Sequence, residues 1–214
     1  MPIFEHNISL PDGIRLGVWR IDEDSQTLMR MADFLTDGER CVCLGFKSER
    51  RKREWLATRL LIKSMLGTYQ PIEYSECGKP YISEFQGNIS ISHADGLAVV
   101  LLSQSPAHES AVDVERITPR IERIRDKYLH PSEIAAIPES RFQEYLYIHW
   151  CAKEAMYKAC NIPDYDYQNS YALDGIGESG IHTGRLARNG EVLARFSVLS
   201  HTIMDYVLCV ATIV

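Results

Sequence analysis

The sequence predicts an α+β protein made of two similar αβ lobes, each a small, mostly antiparallel sheet packed with a long helix. Three observations carry this. Short alternating apolar runs separated by turn residues mark strands in both halves. Each half also holds one long amphipathic stretch, near 48–67 and 141–160. Finally, Ser92-His93 followed by the apolar run Leu97 to Leu102 is echoed by Ser200-His201 followed by Tyr206 to Ile213. The 214 residues suffice for one sizeable core or two small lobes. The expected lobes are 1–107 and 108–214, with the boundary near Pro106 to Glu109 and a site between them.

In order along the chain, a strand is expected near Ile14 to Ile21. A helix follows from Ser48 through Trp55, Leu56, Leu60, Ile62 and Met65 to Gly67, a residue suited to ending a helix. Its first turns carry Arg50-Arg51-Lys52-Arg53, then Arg59 and Lys63. Basic residues at a helix start oppose the helix dipole, so they either form a solvated face or hold an anion such as phosphate. A strand near Ile72 to Ser75 leads to the turn Glu76-Cys-Gly-Lys-Pro80. A hairpin pairs Asn88 to His93 with Leu97 to Ser103 around Asp95-Gly96, a usual hairpin turn.

The second half opens on Ala111-Val-Asp-Val-Glu115, where alternation sends Asp113 and Glu115 to one side and both valines to the other. Two carboxylates so close either form a solvated acidic face or hold a cation. Oxygen donors without nearby Cys or paired His suit a hard ion such as Mg2+. A helix is expected near Pro119 to Leu129, with a short turn or helix at Pro131 to Ile137. The helix from Arg141 to Cys160 carries an apolar stripe of Phe142, Tyr145, Leu146, His149, Trp150, Met156, Tyr157 and Cys160. Lys153 falls inside that stripe, where a core residue is expected. Glu154 and Lys158, one turn apart on the flank, read either as a surface ion pair or as a metal ligand beside an ammonium placed for a phosphate. A loop rich in Asp, Tyr, Asn and Gly precedes the closing strands.

Composition narrows the classes. Hydrophobic content of 45% and charged content of 24% are those of a globular protein. A net charge of −6 argues against general nucleic-acid binding. No apolar run is long enough for a membrane span, and Met1 to Trp19 reads as no signal peptide. Cys41, Cys43, Cys77, Cys151, Cys160 and Cys209 show no metal-ligand spacing and read as reduced thiols of a cytoplasmic protein.

Ala111-Val-Asp-Val-Glu115 and Trp150-x-x-Lys153-Glu154-Ala155-x-x-Lys158 resemble the two signature motifs of the 4'-phosphopantetheinyl transferases. Arg53-Glu-Trp-Leu-Ala-Thr-Arg59, Gly78-Lys79-Pro80, Asn88-Ile-Ser-Ile-Ser-His93 and Tyr128-Leu-His-Pro-Ser-Glu133 agree with the family in order and spacing, so the resemblance spans roughly Arg50 to Lys158. Length and apparent duplication are similar to the longer type, which activates surfactin synthetase and has two lobes related by pseudo-two-fold symmetry. Ala111 stands where Gly is usual, and the Asn88 strand has one extra residue.

The resemblance implies Mg2+-dependent transfer of the phosphopantetheine arm of coenzyme A to a serine of an apo acyl or peptidyl carrier protein, with 3',5'-ADP leaving. It implies Asp113 and Glu154 as Mg2+ ligands (Mn2+ being the alternative ion), and Glu115 as a ligand directly or through water. Lys158 is implied to contact the diphosphate, Ser92 and His93 the coenzyme A phosphates, and Lys79 with Pro80 the nucleotide. Arg53 and Lys47 are implied to meet the 3'-phosphate. The attacking oxygen belongs to the partner, so no enzyme nucleophile is expected; Glu154, Glu115 or a metal-bound water stand as candidates for the base. A monomer is the simplest expectation, since both halves of the site lie in one chain. Ile121, Arg123, Ile124, Arg125 and Lys127 are candidates to meet the acidic carrier. The rival readings are a Mg2+-dependent nucleotide diphosphate hydrolase and a non-catalytic coenzyme A or carrier-binding module.

Overall fold

The structure is a computed structural model that describes residues 8–104, 109–160, 162, 166–176 and 179–214. The chain divides into two compact units, Met1–Gln104 and Ser105–Val214. Of the expected boundary, 106–108 lie outside the described residues.

In unit 1, β1 (Ile14–Arg20) is followed by α1 (Ser25–Met31), α2 (Asp37–Gly45) and α3 (Glu49–Leu66). Then come β2 (Glu73–Tyr74), β3 (Pro80–Tyr81), β4 (Asn88–Ala94) and β5 (Leu97–Ser103). β5, buried along its whole length, lies between β1 and β4 in an antiparallel sheet. Helix α3 starts and stops where its caps dictate. Ser48 accepts from Arg51 N, and Gly67 takes the left-handed conformation (φ 78°) with its N–H on Lys63 O. Its apolar side packs Trp55, Leu56, Leu60 and Leu61 into a core with Trp19, Ile89, Val100 and Leu102. The helix comes so close to β1 that a Cβ on Gly17 would lie 2.5 Å from Met65 Sδ.

Helices α1 and α2 have no counterpart in the sequence reading. They are seven and nine residues long, too few turns for apolar periodicity to register. Their caps are legible afterwards. Asp24 accepts from Thr27 N at 2.7 Å, and Thr36 forms a reciprocal capping box with Glu39. The expected strand at 72–75 shrinks to the two-residue β2.

Unit 2 runs β6 (Ser110–Arg116), a 3-10 helix (Pro119–Lys127), α4 (Pro131–Ala136) and α5 (Phe142–Cys160). β7 (Tyr171–Ile176), β8 (Ile181–Arg188), β9 (Glu191–Ile203) and β10 (Tyr206–Ile213) complete it. The five strands form one antiparallel sheet in the order β6-β10-β9-β8-β7. α5 packs across β6 and β10. The segment at 119–127 is tighter than the α-helix expected there: Thr118 precedes it without a side-chain cap.

The sequence echo has a topological basis. In each unit a first strand is followed by a long helix, and the last strand returns beside the first with the penultimate strand on its other flank. This yields β1-β5-β4 and β6-β10-β9. Ser92 and Ser200 both lie on the penultimate strand, opposite Val99 and Cys209. Among the described residues no helix is long and apolar enough to cross a membrane.

Candidate active site

Register places the acids of β6. Asp113 lies opposite Cys209, Glu115 opposite Val207, and Ala111 opposite Ala211. Ala111, Val207, Cys209 and Ala211 all belong to the core packed against α5. Asp113 and Glu115 share their face, so the carboxylates point toward the helix and not into solvent. Asp113 is only 5% exposed, which removes the solvated-face reading.

Helix α5 meets them with a single ridge. Trp150, Glu154 and Lys158 recur every four residues and stack on one side. Trp150 Nε1 donates to Glu115 Oε1 at 3.0 Å. Lys158 Nζ donates to Asp113 Oδ1 at 2.7 Å and to Val112 O at 3.3 Å. The pairing needs no strain. The step from Asp113 to Glu115 covers about 7 Å of strand, and Trp150 to Lys158 about 12 Å of helix, a difference that two long side chains span. Glu154 lies midway between these contacts, and its lysine neighbour pairs with Asp113 instead of forming the helical pair the spacing allowed.

The electrostatics show four charges sharing one place. Burial, then the negative charge of Asp113, pushes the Glu154 carboxyl up to about 7, against the pull of Lys158 and a Tyr167 hydrogen bond. Burial and Asp113 also raise Glu115. Burial works against the charge of Lys158, but Asp113 and then Glu154 outweigh it and raise that ammonium. The carboxylates thus carry more negative charge than one lysine offsets. An oxygen-only donor set in that condition fits a hard divalent cation. As they stand, the side chains do not close on one point: among the described residues no three His, Cys, Asp or Glu groups converge to hold a metal, and the Lys158 ammonium sits against Asp113.

Residues 110–211, which carry all of these groups, match the family model of the 4'-phosphopantetheinyl transferase superfamily. The match lies within unit 2 and spans just under half of the chain. The chain is similar to the 4'-phosphopantetheinyl transferase HetI of a Nostoc species, with 25% identity over 168 residues covering 70% of this chain and 69% of HetI. It also overlaps a holo-(acyl-carrier-protein) synthase from Bacillus anthracis, solved in complex with coenzyme A (3',5'-ADP). That overlap covers 44% of this chain and 96% of the other, at 26% identity and a TM-score of 0.30.

In unit 1 the chain holds its other predicted residues on separate elements. Arg53 anchors the start of α3, donating to Glu23 O at 2.8 Å and Ile21 O at 2.5 Å. Ile21 N in turn donates to Gly96 O at the β4–β5 turn. Arg53 is thereby joined through one residue, Ile21, to the hairpin that carries Ser92 and His93. Those two neighbours face opposite sides of β4, an edge strand, with Ser92 buried and His93 half-buried. Lys79, half-buried, follows Gly78 (φ 79°) in a turn closed by Ser75 N on Lys79 O, and Pro80 opens β3 beside β4. Lys47 is exposed, one residue before the cap of α3. Arg59 is structural: its guanidinium lies 3.2 Å over the Trp55 ring and 3.6 Å from Glu39.

Lys153, the charged residue in the apolar stripe, is fully buried. Its ammonium donates to Glu133 Oε2 and Tyr128 O at 2.7 Å and to Tyr167 O at 3.0 Å, using all three of its N–H groups. These contacts tie the stretch Tyr128 to Glu133 to the helix motif. Of the candidate carrier contacts, Ile121 is 3% exposed and belongs to the core, and Arg125 lies over the Phe142 ring. Tyr167 is the site residue that sequence reasoning missed. It stands in an irregular turn, and no spacing tied its carbonyl to Lys153.

Proposed function

We propose that this chain is a phosphopantetheinyl transferase of the two-lobed type that moves the 4'-phosphopantetheine arm of coenzyme A onto a serine of an apo acyl or peptidyl carrier protein. The observation that carries the reading is Lys158 Nζ at 2.7 Å from Asp113, within the field of Glu115 and Glu154. Phosphoryl-type transfer asks for positioning and for positive charge where negative charge builds, and little else. In the reaction, the carrier serine oxygen bonds to the β-phosphorus, the bond from that phosphorus to the bridging oxygen breaks, and 3',5'-ADP leaves.

Asp113 and Glu154, with Glu115 directly or through water, are the residues that would hold Mg2+ or Mn2+. Such an ion, when bound, offsets the charge of the diphosphate and of the leaving phosphate. Lys158 then has the role of meeting the diphosphate, and Trp150 holds Glu115. Glu154 and Glu115 are the carboxylates at hand for the serine proton, and whichever holds the ion is the weaker base. In unit 1, Arg53 and Lys47 are assigned to the 3'-phosphate, Lys79 and Pro80 to the nucleotide, and Ser92 and His93 to the phosphates. Arg53 keeps donors beyond the two used on backbone carbonyls, so anchoring and anion binding are compatible. The enzyme is expected to act as a cytoplasmic monomer.

Intact mass of an apo acyl carrier protein incubated with coenzyme A, Mg2+ and the enzyme tests this. A gain of one phosphopantetheine arm, lost with EDTA and with Asp113→Ala, is the expected result. Coenzyme A cleavage without carrier labelling would make the protein a hydrolase. Binding without either product would make it a binding module.

A further inference from the structure

We propose that Lys158 competes with the divalent cation for Asp113, and that coenzyme A, by drawing the ammonium onto its diphosphate, couples its own binding to that of the cation. Two contacts hold the ammonium on β6. Lys158 Nζ donates to Asp113 Oδ1 at 2.7 Å and to Val112 O at 3.3 Å. The oxygen it uses belongs to a carboxylate of the oxygen donor set described above. An ammonium and a divalent ion on one carboxylate stand only a few ångströms apart. Like charges that close, in a protein interior, repel by far more than thermal energy. Each therefore weakens the other at Asp113.

Asp113 is the fixed partner of the pair. Its side chain is 7% exposed and sits on a strand held in register with β10 and covered by α5. Lys158 is the partner able to move, since its side chain is 31% exposed and its ammonium rides on a flexible stem. It lies in the last turn of α5, where the helix dipole favours a cation. The other acid it can reach along the helix is Glu154, one turn back. Glu154 belongs to the same donor set, so an ammonium moved there still opposes the cation. The anion that releases both carboxylates is the one the ligand brings. Linkage makes the effect reciprocal: a cation that displaces Lys158 from Asp113 favours coenzyme A by the same factor.

The inference rests on the proposed cation-dependent transfer, and the experiment separates the two. Mn2+ binding to the full chain is read by electron paramagnetic resonance of the free ion, alone and with saturating coenzyme A. The Mn2+ held by coenzyme A without protein is subtracted, and carrier labelling of the wild type is read by intact mass. Without coenzyme A, Lys158→Met is expected to bind Mn2+ about 10-fold more tightly than the wild type. The factor by which coenzyme A raises Mn2+ affinity should be about 10-fold larger in the wild type than in Lys158→Met. Taking this ratio cancels whatever coupling the diphosphate gives by touching the ion itself. Lys158→Gln, also uncharged, replaces the methionine variant if thermal unfolding shows the latter to be misfolded. Equal factors in wild type and variant mean that the lysine acts as a fixed charge. They overturn this inference and leave the transferase reading standing. A wild type that labels carrier yet binds no Mn2+, with or without coenzyme A, overturns the cation site and this inference with it. A wild type that labels no carrier overturns the transferase reading itself.

Discussion

Lys153 Nζ donates to Glu133 Oε2 at 2.7 Å, with the lysine side chain wholly out of solvent and the glutamate only 8% exposed. The pair joins α4 to α5 and brings the backbone of Tyr128 and Tyr167 with it. A buried ion pair of this kind contributes less through its own attraction than it costs when one partner is removed.

Lys153→Met is therefore expected to destabilise the protein by about 3–5 kcal/mol, because Glu133 is left charged in the core. The double variant Lys153→Met/Glu133→Gln should recover a large part of that loss. Urea unfolding of the wild type, Lys153→Met, Glu133→Gln and the double variant checks it. A single variant as stable as the wild type would show that Glu133 finds another cation or takes up a proton at little cost.

Acid should unfold unit 2 in two stages. Burial, aided by His149, pushes His182 from 6.5 down to about 4, while its Nε2 lies 2.7 Å from Ser200 Oγ. A depressed folded-state value means the unfolded chain takes up the proton first. The stabilisation is complete above pH 6.5 and is lost as pH falls toward 4. Its size is up to about 3 kcal/mol. Burial alone would raise Glu133, but His149 and then Lys153 push it from 4.5 down to about 2, so its share is lost between those values. Unfolding free energy measured from pH 7.5 to 3 should fall in that order, and His182→Gln should flatten the upper stage only.

Lys158→Met should lower the rate of carrier labelling by about 100-fold, since it removes the ammonium beside Asp113 from a site that works by electrostatic stabilisation. Lys158→Arg, which keeps the charge with a different reach, should fall between. Rates from intact-mass time courses decide this, with a wild-type rate in the methionine variant as the contrary result.

Two glycines in unit 1 should respond with opposite sign. A Cβ on Gly87 would lie 2.0 Å from Ser103 O, so Gly87→Ala must push the start of β4 away from β5. A loss of about 1–3 kcal/mol is expected. Gly38, in the first turn of α2, has open space around its Cα, so Gly38→Ala should add about 0.5–1 kcal/mol. Thermal melts of both variants provide the check.

The sequence by itself determined the long elements and the chemistry of the cluster. α3 and α5 repeat their apolar residues over enough turns to be unmistakable, Ser48 and Gly67 mark the ends of α3, and Asp95-Gly96 marks the β4–β5 hairpin. The alternation in Val112-Asp113-Val114-Glu115 put both acids on one face because a strand has a period of two. Whether that face met water or a helix was decided only by tertiary structure, since both of its faces proved buried. Packing of α5 across β6 and β10 turned an apparent Glu154–Lys158 helical pair into Lys158–Asp113. It made Lys153 a core ion-pair partner and brought the Tyr167 carbonyl from a patternless turn onto its ammonium. Local periodicity records which side of an element a residue occupies. What lies opposite it depends on contacts between residues far apart in the chain, which only the folded unit brings together.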